Sequence, residues 1–277
     1  MKLSQTLQRK YEILRSILQE MGGVVVGYSG GVDSTFLLKT AHEVLGDKVL
    51  AVIAASETYP QKEIEGAVQL ARSLGVRFKL IETHELRDPN FRKNPPQRCY
   101  YCKKELFSRL KAIAQEEGYQ WVVDGSNYDD LQDFRPGTKA RDELGVRSPL
   151  QEAKLTKEDI RLLSKYFNLP TWDKPSFACL ASRFPYYSEI DEKDLLRIGQ
   201  AEDFLQSRGF KQVRLRHHGA LARIEILPED IPRLLNPEQR EEIIQRLKEL
   251  GYQYVTLDLE GYRSGSMNEI LDFSGLD

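Results

Sequence analysis

Val24-Val25-Val26-Gly27-Tyr28-Ser29-Gly30-Gly31-Val32-Asp33-Ser34 passes from an apolar stretch of strand length, through paired glycines, into a helical pattern that continues to Leu45. A strand that hands over to a helix through Ser29 to Ser34 makes a phosphate-binding turn. The glycines let the backbone fold tightly and aim successive N–H groups at one anion. The helix N-terminus adds partial positive charge, and Ser29 and Ser34 add hydroxyl donors. Neither Gly-x-x-x-x-Gly-Lys-Ser/Thr nor Gly-x-Gly-x-x-Gly is present, which argues against a Walker-type NTPase and a dinucleotide-binding dehydrogenase. An ordinary serine-capped glycine turn is the bland alternative. Composition alone leaves it open, and the whole string in its strand–helix setting disfavours it.

The same unit repeats outward from this turn. Val49–Ala54 reads as a strand, Pro60–Leu74 as a helix, Arg77–Ile81 as a strand, Lys103–Glu117 as a helix and Trp121–Asp124 as a strand. Alternation of this kind predicts an α/β fold with a doubly wound, mostly parallel sheet. Leu3, Leu7, Tyr11, Leu14 and Leu18 predict an amphipathic helix ahead of it, stopped at Gly22-Gly23. Residues 128–145 are charged and turn-rich and read as a mobile loop beside the site. Thr156–Phe167 reads as a helix capped by Thr156, with Asp159 in its first turn. The expected organisation is a nucleotide-binding domain over 1–172, a connector over 173–190 that carries Cys179, and a small α+β domain over 191–277 for substrate binding or oligomerisation. The small domain is read as a helix (Glu192–Arg208), a hairpin turning at His217-His218-Gly219, a helix (Pro237–Leu250) and a strand (Tyr254–Leu259).

The 277 residues are 40% apolar and 30% charged with a net charge of −2, an ordinary globular balance with no whole-protein attraction for nucleic acid. No apolar run is long enough to span a bilayer, and the first twenty residues lack a signal core. A cytoplasmic protein with no membrane or nucleic-acid partner is therefore expected. An odd count of three cysteines argues against a disulfide framework.

Cys99-Tyr100-Tyr101-Cys102 lies beside Lys103 and Lys104, just ahead of the predicted helix, and Cys179 lies in the connector. Buried inert thiols, a structural zinc, an iron–sulfur cluster and a redox dithiol all compete for this pattern. Zinc needs a fourth ligand, and only His84 lies near the pair in sequence. Spacing alone leaves zinc and cluster level. In the hairpin, Arg214 and Arg216 alternate with Val213 and Leu215, so period-two geometry puts them on the face opposite the apolar residues. That face is either solvated or turned to an anionic ligand, for which arginine forks are suited.

Ser29-Gly30-Gly31-Val32-Asp33-Ser34 resembles the PP-loop of the ATP pyrophosphatases, and Asp124-Gly125-Ser126-Asn127-Tyr128-Asp129-Asp130 is similar to their second nucleotide-side motif. Three further stretches resemble the LarE-type sulfur transferases of nickel-pincer nucleotide biosynthesis within that superfamily. They are the string around Cys179, Val213 to Gly219, and Gly261 to Glu269. The resemblance implies ATP and Mg2+ as cofactors, phosphates on Ser29, Gly30, Gly31, Asp33, Ser34 and Gly125, and Asp33 near the magnesium. The implied substrate is a pyridinium biscarboxylate mononucleotide, whose carboxylates are adenylylated and then converted to thiocarboxylates. Family members with one cysteine sacrifice its sulfur. This sequence resembles the three-cysteine members, in which a four-iron, four-sulfur (4Fe-4S) cluster on Cys99, Cys102 and Cys179 delivers sulfide and is reloaded by sulfide or another sulfur donor. The likeness makes Arg183, Arg214 and Arg216 candidates for the substrate, leaves Arg223 to solvent, and offers Glu202 and Glu225 for a divalent cation. A homo-oligomer is expected. The rival readings are sacrificial donation by Cys179, a tRNA thiolase, and a non-catalytic nucleotide- and metal-binding regulator.

Overall fold

The computed structural model describes residues 3–132, 135–175, 178–263 and 265–269. Ser176, Phe177 and Ser264, which belong to the stretches quoted above, lie outside them. Residues 1–88 and 96–177 form one compact unit, and residues 89–95 with 178–277 form another.

The first unit opens with helix α1 (Gln5–Met21), started by the Ser4 hydroxyl accepting the Leu7 N–H and ended by Gly22 at φ 67°. Strand β1 (Val24–Gly27), helix α2 (Val32–Leu45), strand β2 (Val49–Ala55), helix α3 (Gln61–Ser73) and strand β3 (Arg77–Glu82) follow. Next come helix α4 (Arg98–Glu116), strand β4 (Trp121–Val123), and helices α5 (Gly137–Glu143) and α6 (Lys157–Tyr166). The four strands are parallel in the order β3-β2-β1-β4. Val24 and Val26 face a core with Leu14, Leu18, Phe36, Ile53 and Leu163, whereas Val25 faces a second core with Leu50, Val52, Phe107, Leu110 and Val122. A sheet covered on both faces needs strands that are apolar throughout, which is why β1 reads as an unbroken valine run.

Two expectations are corrected here. Helix α4 begins at Arg98, so Cys99 and Cys102 lie inside its first turns and not ahead of it. Nothing from Arg98 to Lys103 breaks a helix, and the prolines at 95 and 96 fall just before it. The expected loop over 128–145 holds a 3-10 turn (Tyr128–Gln132) and α5, with residues 133–134 outside the described chain. Helix α5 packs on α4 so closely that a Cβ on Gly137 would stand 2.9 Å from Lys103 Cγ.

In the second unit, the Asp191 carboxylate caps helix α7 (Glu192–Ser207), which buries Leu195, Ile198, Ala201, Glu202 and Leu205. Strands β5 (Val213–His218) and β6 (Leu221–Ile226) form the expected hairpin; helix α8 (Pro237–Glu249) leads to β7 (Tyr254–Leu257), which pairs parallel to β6. Of the two fates open to this face of β5, solvation is not the one found: Arg214 and Arg216 are buried, as are Val213 and Leu215. Internal carboxylates, described next, make that burial tolerable.

Candidate functional site

Ser29 to Gly31 lie in the turn between β1 and α2, and Val32 to Ser34 open the helix. Gly30 sits at φ 69°, and a Cβ there would lie 2.8 Å from Ala67 Cβ of α3, so only glycine fits both the backbone and the space. Lys174 Nζ donates to the Gly30 carbonyl at 3.2 Å and to Glu63 at 2.7 Å, tying the turn from outside. The hydroxyls of Ser29 and Ser34 lie 3.1 Å apart, within hydrogen-bond distance of each other. Gly125 brings the segment after β4 against the start of α2, where a Cβ would stand 3.0 Å from the Ser34 amide nitrogen. All six residues assigned to the nucleotide from the sequence thus come together at the carboxyl ends of β1 and β4, the usual ligand crevice of an open α/β sheet.

The segment from Asp124 to Asp130 organises itself by side-chain turns. Asp124 accepts from the Ser126 amide and hydroxyl and from Ser148, and Asp130 accepts the Asn127 amide. Burial pushes the Asp130 carboxyl up, the Asn127 amide and Arg135 pull it back, and nearby Asp33 adds to the push. Asp33 is the second residue of α2. Its Oδ2 accepts from Lys157 Nζ, while its buried Oδ1 has no hydrogen-bond partner. An orphaned buried carboxylate oxygen beside an anion-binding turn fits a magnesium ion. Sequence patterns do not single out Lys157 or Lys174. Both are brought to the turn by tertiary packing, and only the cap at Thr156 hints that Lys157 opens a helix.

Cys99 and Cys102 stand three residues apart on α4, a spacing that shares a helix face. Cys102 Sγ donates toward Glu85 Oε1 at 3.7 Å, and burial pushes the Glu85 carboxyl up. None of the three cysteines is in a disulfide, and Cys99 is exposed. Three thiol donors fit a three-thiolate cluster chemically. Among the described residues, no three His, Cys, Asp or Glu side chains are already grouped as for a metal ion.

Cys179 belongs to the second unit and caps a short 3-10 turn (Leu180–Arg183). Arg183, fully buried, grips Glu202 with Nε and Nη2 at 2.9 and 2.8 Å, and Nη1 donates to the carbonyls of Ala178 and Cys179 and to Ser182 Oγ. Its fork therefore shapes the loop that carries Cys179 and is not held open for a phosphate. Glu202 also accepts the Leu215 amide. Glu225 is gripped by Arg216 at 2.7 Å and by Ser266. These guanidinium partners answer the charge of both carboxylates, so neither is available to a divalent cation as built. Arg223, half-buried, bonds Glu225 at 3.3 Å and forms a looser ion pair with Asp258 at 3.6 Å.

Arg214 and Arg216 remain. Arg216 Nε is buried without a hydrogen-bond partner, and Arg214 lies over the Tyr262 ring at 5.4 Å. Burial lowers the Arg214 pKa, and the charge of Arg183 lowers it further against the pull of Glu202. Arg183, Arg214 and Arg216 are buried in this unit, as are Glu202 and Glu225.

With both geometries described, relatives can be placed. The NAD synthase family matches residues 6–124, the part that holds the glycine turn and the first four strands. An NH(3)-dependent NAD(+) synthetase of Finegoldia magna is 33% identical over 53% of this chain and 61% of its own length. A protein of Synechocystis is 44% identical over 96% of this chain and 99% of its own length. The pyridinium-3,5-bisthiocarboxylic acid mononucleotide synthase of Lactiplantibacillus plantarum is 41% identical over 96% of both chains. The chain belongs to the family of this synthase. Membership in the synthase family covers both units, whereas the NAD synthase match stops within the first. Among the described residues, no helix is long and apolar enough to cross a membrane.

Proposed function

We infer that the chain is an ATP-dependent sulfur transferase, making the bisthiocarboxylic acid mononucleotide from pyridinium-3,5-biscarboxylic acid mononucleotide. The observation that carries the reading is the glycine turn that presents its amides and Asp33 at the start of α2, in a chain 41% identical throughout to the synthase. Carboxylate oxygen is a poor leaving group. Attack by that oxygen on the α-phosphorus breaks the α–β bond, releases pyrophosphate and leaves an acyl adenylate. Sulfide then adds to the carbonyl carbon, and AMP departs with the former carboxylate oxygen.

In this reading Gly30, Gly31 and Ser34 donate to the pyrophosphate, and Ser29 gives up its bond to Ser34 to join them. Asp33 Oδ1 faces the magnesium, which when bound neutralises phosphate charge. Arg214 and Arg216 bind the anionic substrate, and Arg183 holds the Cys179 loop in shape. A 4Fe-4S cluster on Cys99, Cys102 and Cys179, when bound, supplies the sulfide. A donor in solution reloads it, and a cytoplasmic homo-oligomer is the proposed working form.

The test compares Cys99→Ala, Cys102→Ala and Cys179→Ala for chromophore, product and intact mass. The account expects each variant to lose iron and sulfur transfer together while substrate-dependent pyrophosphate release persists. Loss of the elements of hydrogen sulfide from Cys179 on turnover, with Cys99 and Cys102 dispensable, would overturn the cluster in favour of sacrificial donation.

A further inference from the structure

Asp33 is already paired with a cationic side chain. Lys157 Nζ is bonded to Asp33 Oδ2, with both side chains between a fifth and a third exposed. The base of the lysine is fixed: it is the first residue of α6, its amide donates to Asp129 Oδ2 at 2.8 Å, and the Thr156–Asp159 capping box locks the turn around it. Its ammonium is on a flexible stem at a solvent-accessible edge. Asp33 takes the lysine's ammonium and Asp129 its backbone amide, and Asp130 feels the charges of both Asp33 and Lys157. Remove the ammonium and the Asp33 carboxylate loses its counter-charge and is open to a divalent ion. Keep it, and an incoming ion must displace it first.

Resting on the assignment of Asp33 to the metal, we propose that Lys157 is a positioning residue that occupies Asp33 against free divalent cations and releases it only when nucleotide phosphates arrive. Phosphate oxygens give the ammonium another partner, and the metal arriving with them takes Asp33. Metal and nucleotide therefore bind as a coupled pair, and by linkage each strengthens the other by the same factor. The pair is partly exposed, so its loss costs little stability and the folded variant is testable.

The experiment titrates Mn2+, read by paramagnetic resonance, into the wild type, Lys157→Met, Asp33→Asn and Lys10→Met, alone and with α,β-methylene ATP. Lys10→Met is the control: it removes a lysine of α1 that pairs with Asp159 of α6 and not with Asp33. The wild type is expected to bind Mn2+ weakly alone and at least about tenfold more tightly with nucleotide, within the usual range of coupled sites. Lys157→Met is expected to bind Mn2+ alone about tenfold more tightly than wild type and to lose most of the coupling. Lys10→Met should match the wild type. Unchanged metal-alone affinity in Lys157→Met, or an equal gain in Lys10→Met, overturns the inference. Wild-type Mn2+ binding in Asp33→Asn with nucleotide present would instead overturn the metal assignment beneath it.

Discussion

In residues 29–34 the groups proposed to meet a ligand are backbone amides and small hydroxyls on a turn, and the nearest ion pair is partly exposed. In the second unit they are long guanidinium side chains, buried and mostly committed to carboxylates of the same chain. The first arrangement can lose a side chain and keep its fold, since the backbone does the holding. The second cannot, because each charge is tolerated inside only while its partner is present. One region is a tool on a stable frame, and in the other the tool is part of the frame.

Stability should divide the two regions first. Glu202→Ala leaves Arg183 buried and uncompensated and is expected to cost about 3–5 kcal/mol in urea unfolding. Asp33→Ala breaks a partly exposed pair and should cost no more than about 1 kcal/mol while abolishing substrate-dependent pyrophosphate release. Similar unfolding losses in both variants would erase the contrast.

The turn has its own breaking point, set by backbone and space. Gly30→Ala forces a side chain into the left-handed region, at about 1–2 kcal/mol, and drives its Cβ against Ala67. Gly22→Ala has a similar φ but open space, so it should show the backbone cost alone. The difference between their melting temperatures measures the Ala67 contact, and equal shifts would mean that α3 gives way.

A smaller effect sharpens the other side. His217, on β5, lies between Tyr252 Oη at 3.2 Å and Asp194 at 3.3 Å, with Arg197 nearby. Burial lowers its pKa, Asp194 opposes this and Arg197 reinforces it. The unfolded chain therefore takes this proton more readily than the folded one. The stability it contributes is full above about pH 6.5, the unfolded value, and is lost as pH falls below it. His217→Gln should flatten that acid-side slope in unfolding titrations, and an unchanged slope would remove His217 from the account.

The same contrast explains what the sequence reveals. A glycine turn, a valine run and the Thr156 cap are local, so the α/β class, the parallel sheet and residues 29–34 are legible from residue order alone. The fate of Arg214 and Arg216 is not. Strand alternation predicts which way a side chain points, but it does not say that Glu225 of the neighbouring strand will bond Arg216 or that Arg214 will feel the charge of Glu202 from a helix. Lys157 and Lys174 escape the sequence for a related reason, since each is brought to the turn from more than a hundred residues away. The start of α4 is misplaced when the paired cysteines are taken for a loop motif, although nothing in them resists a helix.

The central claim is that the substrate carboxylate becomes the leaving oxygen of AMP. Substrate carrying oxygen-18 in its carboxylates, incubated with the protein, magnesium, ATP and a sulfur source, tests it directly. The account predicts one heavy oxygen in the phosphate of AMP for each thiocarboxylate formed, and none in pyrophosphate. Thiocarboxylate produced with unlabelled AMP, or with ADP and phosphate as the nucleotide products, would contradict it.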